Sequence, residues 1–339
     1  MKAASLNAEL TAGLLDLAWN LWSQLGVSAA PPADVEQRAI DPEALLLFTL
    51  EIGRSDPRLL DETLDWLLSN EQLVSVQRLR NLARGEEDKA LVDAALSWAA
   101  RSRPSARLRN AAMETRPETL VPLFHDVRAP SRELDPSYAE HGLERPLLRP
   151  SGKSQAPDLR APIAFAFRLR RLLGLGVRAE IVRTLLTIRA PNVSAGVVAA
   201  DSGFAARNVR DGVLQLQEAG VLSTATVGAG RRHWLDPAAW AALLGLPTPD
   251  LPFHHDWIPA LRSLTALHRW LNQPGLDDLS DYMLASQART LHDEIEGDLR
   301  FSGVPSVHTP ARGESFWEDF ATTARRAVRI AASGDPSQG

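Results

Sequence analysis

The stretch Ala200–Leu222, ADSGFAARNVRDGVLQLQEAGVL, decides how the rest of the chain is read. Gly203 stands where a tight turn calls for a left-handed residue, a conformation that strains any side chain. Phe204 follows as a core plug, and an amphipathic helix starts at about Ala205. Val209, Val213 and Leu216 recur at helical spacing and mark a buried face. Arg207, Asn208, Arg210 and Asp211 then fall on the outward side of the first two turns. Gly220-Val221-Leu222 ends the helix and leads into a strand.

The same pattern of helices and turns continues on both sides of this stretch. Residues 163–173 read as an apolar helix with Arg168, Arg170 and Arg171 on its polar side. After Gly174 and Gly176 a further helix buries Ile181, Val182 and Leu185. Pro191-Asn192 end that approach. Ser194 is placed to cap the next helix, whose apolar positions are Val197 and Val198. Downstream, residues 222–227 and 231–235 are strand-like runs joined by Gly228-Ala229-Gly230, a short glycine turn that signals a hairpin. Arg231 and Arg232 open its second strand.

This order resembles winged helix-turn-helix transcription regulators of the MarR/ArsR/GntR kind, over about residues 176–235. Those families share the turn glycine, the spaced apolar set and the Leu-x-x-x-Gly exit, matched here by Leu216 and Gly220. The resemblance implies a module of three helices plus a β-hairpin wing that binds double-stranded DNA. The 205–217 helix would enter the major groove, with Arg207, Asn208, Arg210 and Asp211 near base edges. Arg231 and Arg232 of the wing would meet phosphates or the minor groove. Two-fold symmetry of such modules implies a homodimer on a palindromic site. Ala205 and Ala206 depart from the pattern, because those families often place a serine or threonine cap there. Asp211 also departs, since it would repel phosphate unless it accepts from cytosine or balances an arginine.

Charge supports the same reading. The chain of 339 residues has a formal net charge of −5. Between Ala161 and Leu235 ten arginines face Glu180, Asp201, Asp211 and Glu218, a local net of +6 that leaves −11 elsewhere. The absence of cysteine excludes disulfides, thiolate metal sites and a cysteine nucleophile. No apolar run reaches the roughly 18–20 residues of a membrane span. The N-terminal stretch carries Glu9 and Asp16 and does not read as a signal peptide. A cytoplasmic protein with no membrane contact is expected. Its alanine, arginine and leucine usage fits a bacterial chain.

The flanks read as helical. Residues 1–103 form an N-terminal helical domain, with Asp41-Pro42 and Asp56-Pro57 as helix starts. Trp19, Trp22, Trp66 and Trp98 look like anchors of one core. LLSNEQLVSVQRLRNLA could imitate a second helix-turn-helix, but it lacks the turn glycine and reads as a packing or protein-contact surface. Residues 104–160 are a proline-rich connector with a short helix near Pro117–Phe124. Residues 161–246 hold the DNA-binding module. Residues 247–332 form a C-terminal helical region and 333–339 a disordered tail. The N- and C-terminal helices are compatible with one domain or two.

Three local patterns point toward catalytic chemistry. Ser151-Gly152-Lys153-Ser154 ends like a phosphate-binding loop but lacks its upstream glycine. The pairs His125-Asp126, His255-Asp256 and His292-Asp293 bring to mind metal-dependent HD phosphohydrolases. Arg262 and His268 fit the loose spacing of HEPN ribonucleases. None has its required context, so no catalytic residue, metal or cofactor is expected. The expectation is a mainly α protein with a central winged helix-turn-helix flanked by helical units, acting as a DNA-binding regulator. The alternative is an antitoxin-like regulator whose helical flanks bind a partner protein. A hydrolase of HD or HEPN type stands third.

Overall fold

The computed structural model describes residues 2–28, 34–103, 108, 119–125, 133–190, 192–228, 230–247, 250–305 and 313–334. Pro31, Pro32, Pro191, Ala229, Asp126 and the 335–339 tail lie outside the described residues. The described chain is mainly helical, with two small two-stranded sheets. None of its helices is long and apolar enough to cross a membrane.

The N-terminal unit comprises α1 (Lys2–Gln24), α2 (Pro42–Ile52), α3 (Pro57–Asn70), α4 (Val76–Leu82) and α5 (Gly85–Ser102). The Asp41 carboxylate accepts from Ala44 N at 3.0 Å, and that of Asp56 accepts from Arg58 N at 3.0 Å. Each satisfies an amide that the first helical turn leaves without a partner, and each is followed by proline, whose missing N–H costs nothing there. Trp22, Trp66 and Trp98 are buried in one core, with the Trp22 and Trp66 rings edge to face at 4.9 Å.

The described parts of the connector contain regular structure. β1 (Val121–Pro122) pairs in parallel with β2 (Leu143–Glu144), and α6 (Pro136–Ala139) lies between them in sequence. The short helix expected near Pro117–Phe124 is therefore corrected over the residues that are described. Val121 and Leu123 each donate to the other strand at 2.9 Å, and Pro122, with no N–H to give, sits between these two donors. The Ser151–Ser154 amides also have a partner. The buried Asp65 carboxylate accepts from Ser151 and Gly152 N at 2.8 Å and from Ser154 N at 3.2 Å. A turn that resembles a phosphate cradle is filled by the protein's own carboxylate. Burial works against that charge, but the amides of Gly152 and Ser154 outweigh it and hold the carboxyl below its usual range.

The central module follows as α7 (Phe165–Leu173), α8 (Val177–Ile188), α9 (Ala195–Ser202), α10 (Ala206–Glu218), β3 (Ser223–Val227), β4 (Gly230–Trp234) and α11 (Pro237–Leu244). β3 and β4 form an antiparallel hairpin, and Val193 bridges His233 as a third short strand position. Ile181, Val182, Leu185, Val198, Val209, Val213 and Leu216 share a core with Leu222, Leu235 and Trp240. Val197, expected to be buried beside Val198, is instead 47% exposed. One position is a 100° rotation about the helix axis, which carries Val197 off the face that buries Val198, Asp201 and Ser202.

The C-terminal helices are α12 (Trp257–Leu271), α13 (Asp281–Phe301) and α14 (Phe316–Ser333). They share one hydrophobic core with α1–α5: α12 packs on α2, and α14 on α1. The chain thus leaves this helical body after α5 and the connector, builds the module, and returns.

Candidate nucleic-acid interface

Helix α10 is held by its apolar face, which leaves its other face to solvent. Val209, Gly212, Val213 and Leu216 are buried, whereas Arg207, Asn208, Arg210 and Asp211 are exposed. Gly212 sets how closely α10 meets α8. A Cβ there would stand 2.7 Å from Ile181 Cδ1 and 2.9 Å from Val177 Cγ1. At the turn, Gly203 has φ +68°, and an added Cβ would stand 2.8 Å from Leu82 of α4. The turn is thereby seated on the N-terminal unit. Ser194 caps α9 by accepting from Val197 N at 3.3 Å. Ala205 gives α10 no side-chain cap, so its first amides have no such acceptor.

Arg207 and Asp211 are spaced for an i,i+4 pair, yet neither has an ion-pair partner among the described residues. The same holds for Arg210. Arg231 is exposed and Arg232 half-buried on β4. Strand alternation sends these two to opposite faces of the hairpin, so they share a strand but not a face. His233 turns inward, its Nδ1 3.0 Å from Thr224 Oγ1.

The positive charge counted in the sequence is only partly at the surface. Arg170, expected on the polar side of α7, is buried, as is Arg183. Both belong to an ionic network beneath the module. Arg170 meets both oxygens of Glu43 at 2.7 Å and reaches Glu180 at 2.7 Å. Arg183 bonds Glu180 at 2.8 Å and Asp201 at 2.8 Å. Arg78 of α4 contacts Asp41 and Glu43 at 2.6 Å, and donates from Nε to the Ser202 carbonyl at 2.6 Å. At Arg170, Arg78 and Glu180 burial works against the charge, but the opposed charges outweigh it. Arg170 and Arg78 keep raised pKa values, and Glu180 lies well below the carboxylate range, held there by Arg170 and Arg183.

The network therefore ties α2 and α4 to α7, α8 and α9. Its residues were missed because Glu180, Arg183, Thr184 and Thr187 recur at i, i+3, i+4 and i+7, the mark of a solvent face. All four are buried here. The polar segment Leu67–Ala83, read as a packing or contact surface, supplies Arg78 and Leu82 to this junction.

The histidines and arginine of the catalytic alternatives fall at several places, and among the described residues only His125 and His268 meet. Arg262 is ion-paired with Asp298 on α13, while His268 lies against Ser55 and Glu51. His254 is near Asp201 and Asp256, His255 packs its ring on Trp257, and His292 lies 3.6 Å from its neighbour Asp293. His125 lies beside His268, with ring centroids 5.7 Å apart. Compared with known proteins, the chain matches no family model, no curated protein and no solved structure.

Proposed function

We propose that the chain is a DNA-binding transcription regulator in which α8, α9, α10 and the β3–β4 hairpin act as a winged helix-turn-helix. The observation that carries this reading is the outward face of α10. Arg207, Asn208 and Arg210 stand exposed and uncommitted on its first two turns, while the opposite face is locked into a core. Arginine and asparagine are the side chains that pair bidentately with guanine and adenine in the major groove. The uncapped amides at the start of α10 suit a phosphate oxygen. Arg231 and Arg232 follow on a hairpin, where a wing would meet the backbone. In this reading residues 161–246 are the DNA-binding unit, and two copies of the chain act on a palindromic site.

The test uses the full chain and the DNA upstream of its own gene. Log affinity is expected to fall linearly with log salt, by about 0.9 per phosphate contact. Replacing Arg207 and Arg210 together with alanine is expected to abolish the mobility shift while circular dichroism stays unchanged. A folded double variant that binds as tightly as the parent overturns the assignment. A second reading, a regulator that docks a partner protein, is supported by one observation. α13 leaves Tyr282, Met283 and Phe301 exposed near its two ends. Partner capture with no DNA binding by the intact chain would favour it.

A further inference from the structure

We propose that Glu51, His125 and His268 form a binding site for a divalent transition-metal cation, with zinc as the first case. The three residues come from separate parts of the chain. Glu51 is near the end of α2, His125 follows β1, and His268 is on α12. One ligand atom from each lies within 4.8 Å of the other two.

Two of these residues are fully buried, and their ligand atoms face each other across a long ion-pair contact that, against the effect of burial, holds the Glu51 carboxyl below its usual range. Glu51 Oε1 and His268 Nδ1 are 3.5 Å apart, and neither makes a close hydrogen bond to any other described group. That separation is long for a hydrogen bond. It matches the edge of a tetrahedron around zinc, about 3.4 Å for bonds of about 2.1 Å. A buried carboxylate oxygen and ring nitrogen left unsatisfied carry a desolvation cost that a cation between them would offset.

The surroundings orient both ligands. His268 Nε2 is 3.0 Å from Ser55 Oγ. With its proton on Nε2 donated to Ser55, the ring turns the Nδ1 lone pair toward Glu51, the arrangement by which neighbours fix a ligating imidazole. The second oxygen of Glu51 accepts from Arg269 at 2.9 Å, which leaves Oε1 for single-point ligation. Arg269 and Arg54 do not make the place cationic. Arg269 also bonds Asp88 at 2.8 Å, and Arg54 also bonds Glu87 at 2.5 Å.

Two imidazoles and one carboxylate, with no thiolate, suit zinc with a fourth position for water. His125 is the least buried of the three, half-buried at the edge of the cluster. A bound ion would tie the connector to α2 and α12 at one point. The inference is independent of DNA binding by the central module.

The full-length chain, stripped with a chelator and dialysed, is titrated with zinc sulfate against a chromophoric competitor. One zinc per chain and a rise in Tm are expected. His125→Ala changes a half-buried residue and is expected to fold, to lower zinc affinity at least 100-fold and to abolish the Tm rise. Ser55→Ala is expected to weaken binding about 10-fold. His254→Ala, which alters the other histidine–carboxylate cluster, is expected to bind as the parent does. The proposal is overturned if the parent takes up no zinc at micromolar concentration, or if His125→Ala binds as well as the parent. It is equally overturned if His254→Ala, and not His125→Ala, loses the metal.

Discussion

The guanidinium of Arg170 on α7 meets the carboxylate of Glu43 on α2 with two parallel arms of 2.7 Å each. Both side chains are buried. This contact joins the module to the helical body, and its fork geometry is specific to arginine. Breaking one side of such a pair leaves an uncompensated buried charge. Glu43→Ala is expected to destabilise the chain by about 3–5 kcal/mol in urea unfolding. Replacing Glu43 and Arg170 together with leucine and methionine should cost less than the sum of the single changes. Strict additivity would show that the two residues do not act as a pair.

Acid should release this junction before it melts the helices. Asp41 and Glu180 have lowered pKa values. Burial opposes this, but Arg78 outweighs it at Asp41, as Arg170 and Arg183 do at Glu180. A carboxylate lowered on folding contributes stability that is present above its unfolded pKa of about 4 and is lost as pH falls through the folded value. In urea midpoints, the share of stability these carboxylates supply should hold above about pH 4 and fall below it, on top of an earlier decline below about 6.5 from His255, His141 and His233, whose pKa values burial lowers in the folded chain. Glu180→Gln should fall less steeply over that acidic range, from a lower starting stability.

Gly212 offers a test in which helix propensity and packing disagree. Glycine to alanine within a helix ordinarily gains up to about 1 kcal/mol. Here the new methyl would stand 2.7 Å from Ile181 Cδ1 and 2.9 Å from the stiff, β-branched Val177, so both side chains of α8 would have to shift. Overpacking of this kind costs about 1–3 kcal/mol, so Gly212→Ala should lower Tm. A raised Tm would mean that α8 and α10 separate freely.

The outward residues of α10 and the hairpin should behave differently on DNA. Asn208→Ala is expected to relax base preference at one position by about 1–3 kcal/mol. Arg231→Ala should weaken all sequences alike and reduce the salt slope by about 1. Equal loss of specificity in both variants would argue against a division between helix and hairpin. Binding titrations on mutated sites at several salt concentrations measure both.

Loss of the Asp65 carboxylate should be felt in the connector. Asp65→Ala leaves three backbone amides without their acceptor, at a cost of about 1–3 kcal/mol. Limited proteolysis is expected to cut near residues 151–154 sooner than in the parent. Asp65→Asn should fall between the two, because an amide oxygen can accept but carries no charge.

Much of the local structure was legible in the chain itself. Asp-Pro pairs marked two helix starts, since one residue caps and the next needs no amide partner. The glycine turn at 203 and the spacing of Val209, Val213 and Leu216 set which face of α10 is outward, because periodicity and φ > 0 are local properties. What the sequence could not give was which polar stripe meets water. Glu180, Arg183 and Arg170 look like surface charge until α2 and α4 are laid against them. Glu51, His125 and His268 share no local pattern, being separated by 74 and 143 positions. Their convergence, like the single core joining α1–α5 to α12–α14, depends on how distant segments pack. Long-range pairing of this kind leaves no periodic signature in either partner, so only the tertiary structure decides it.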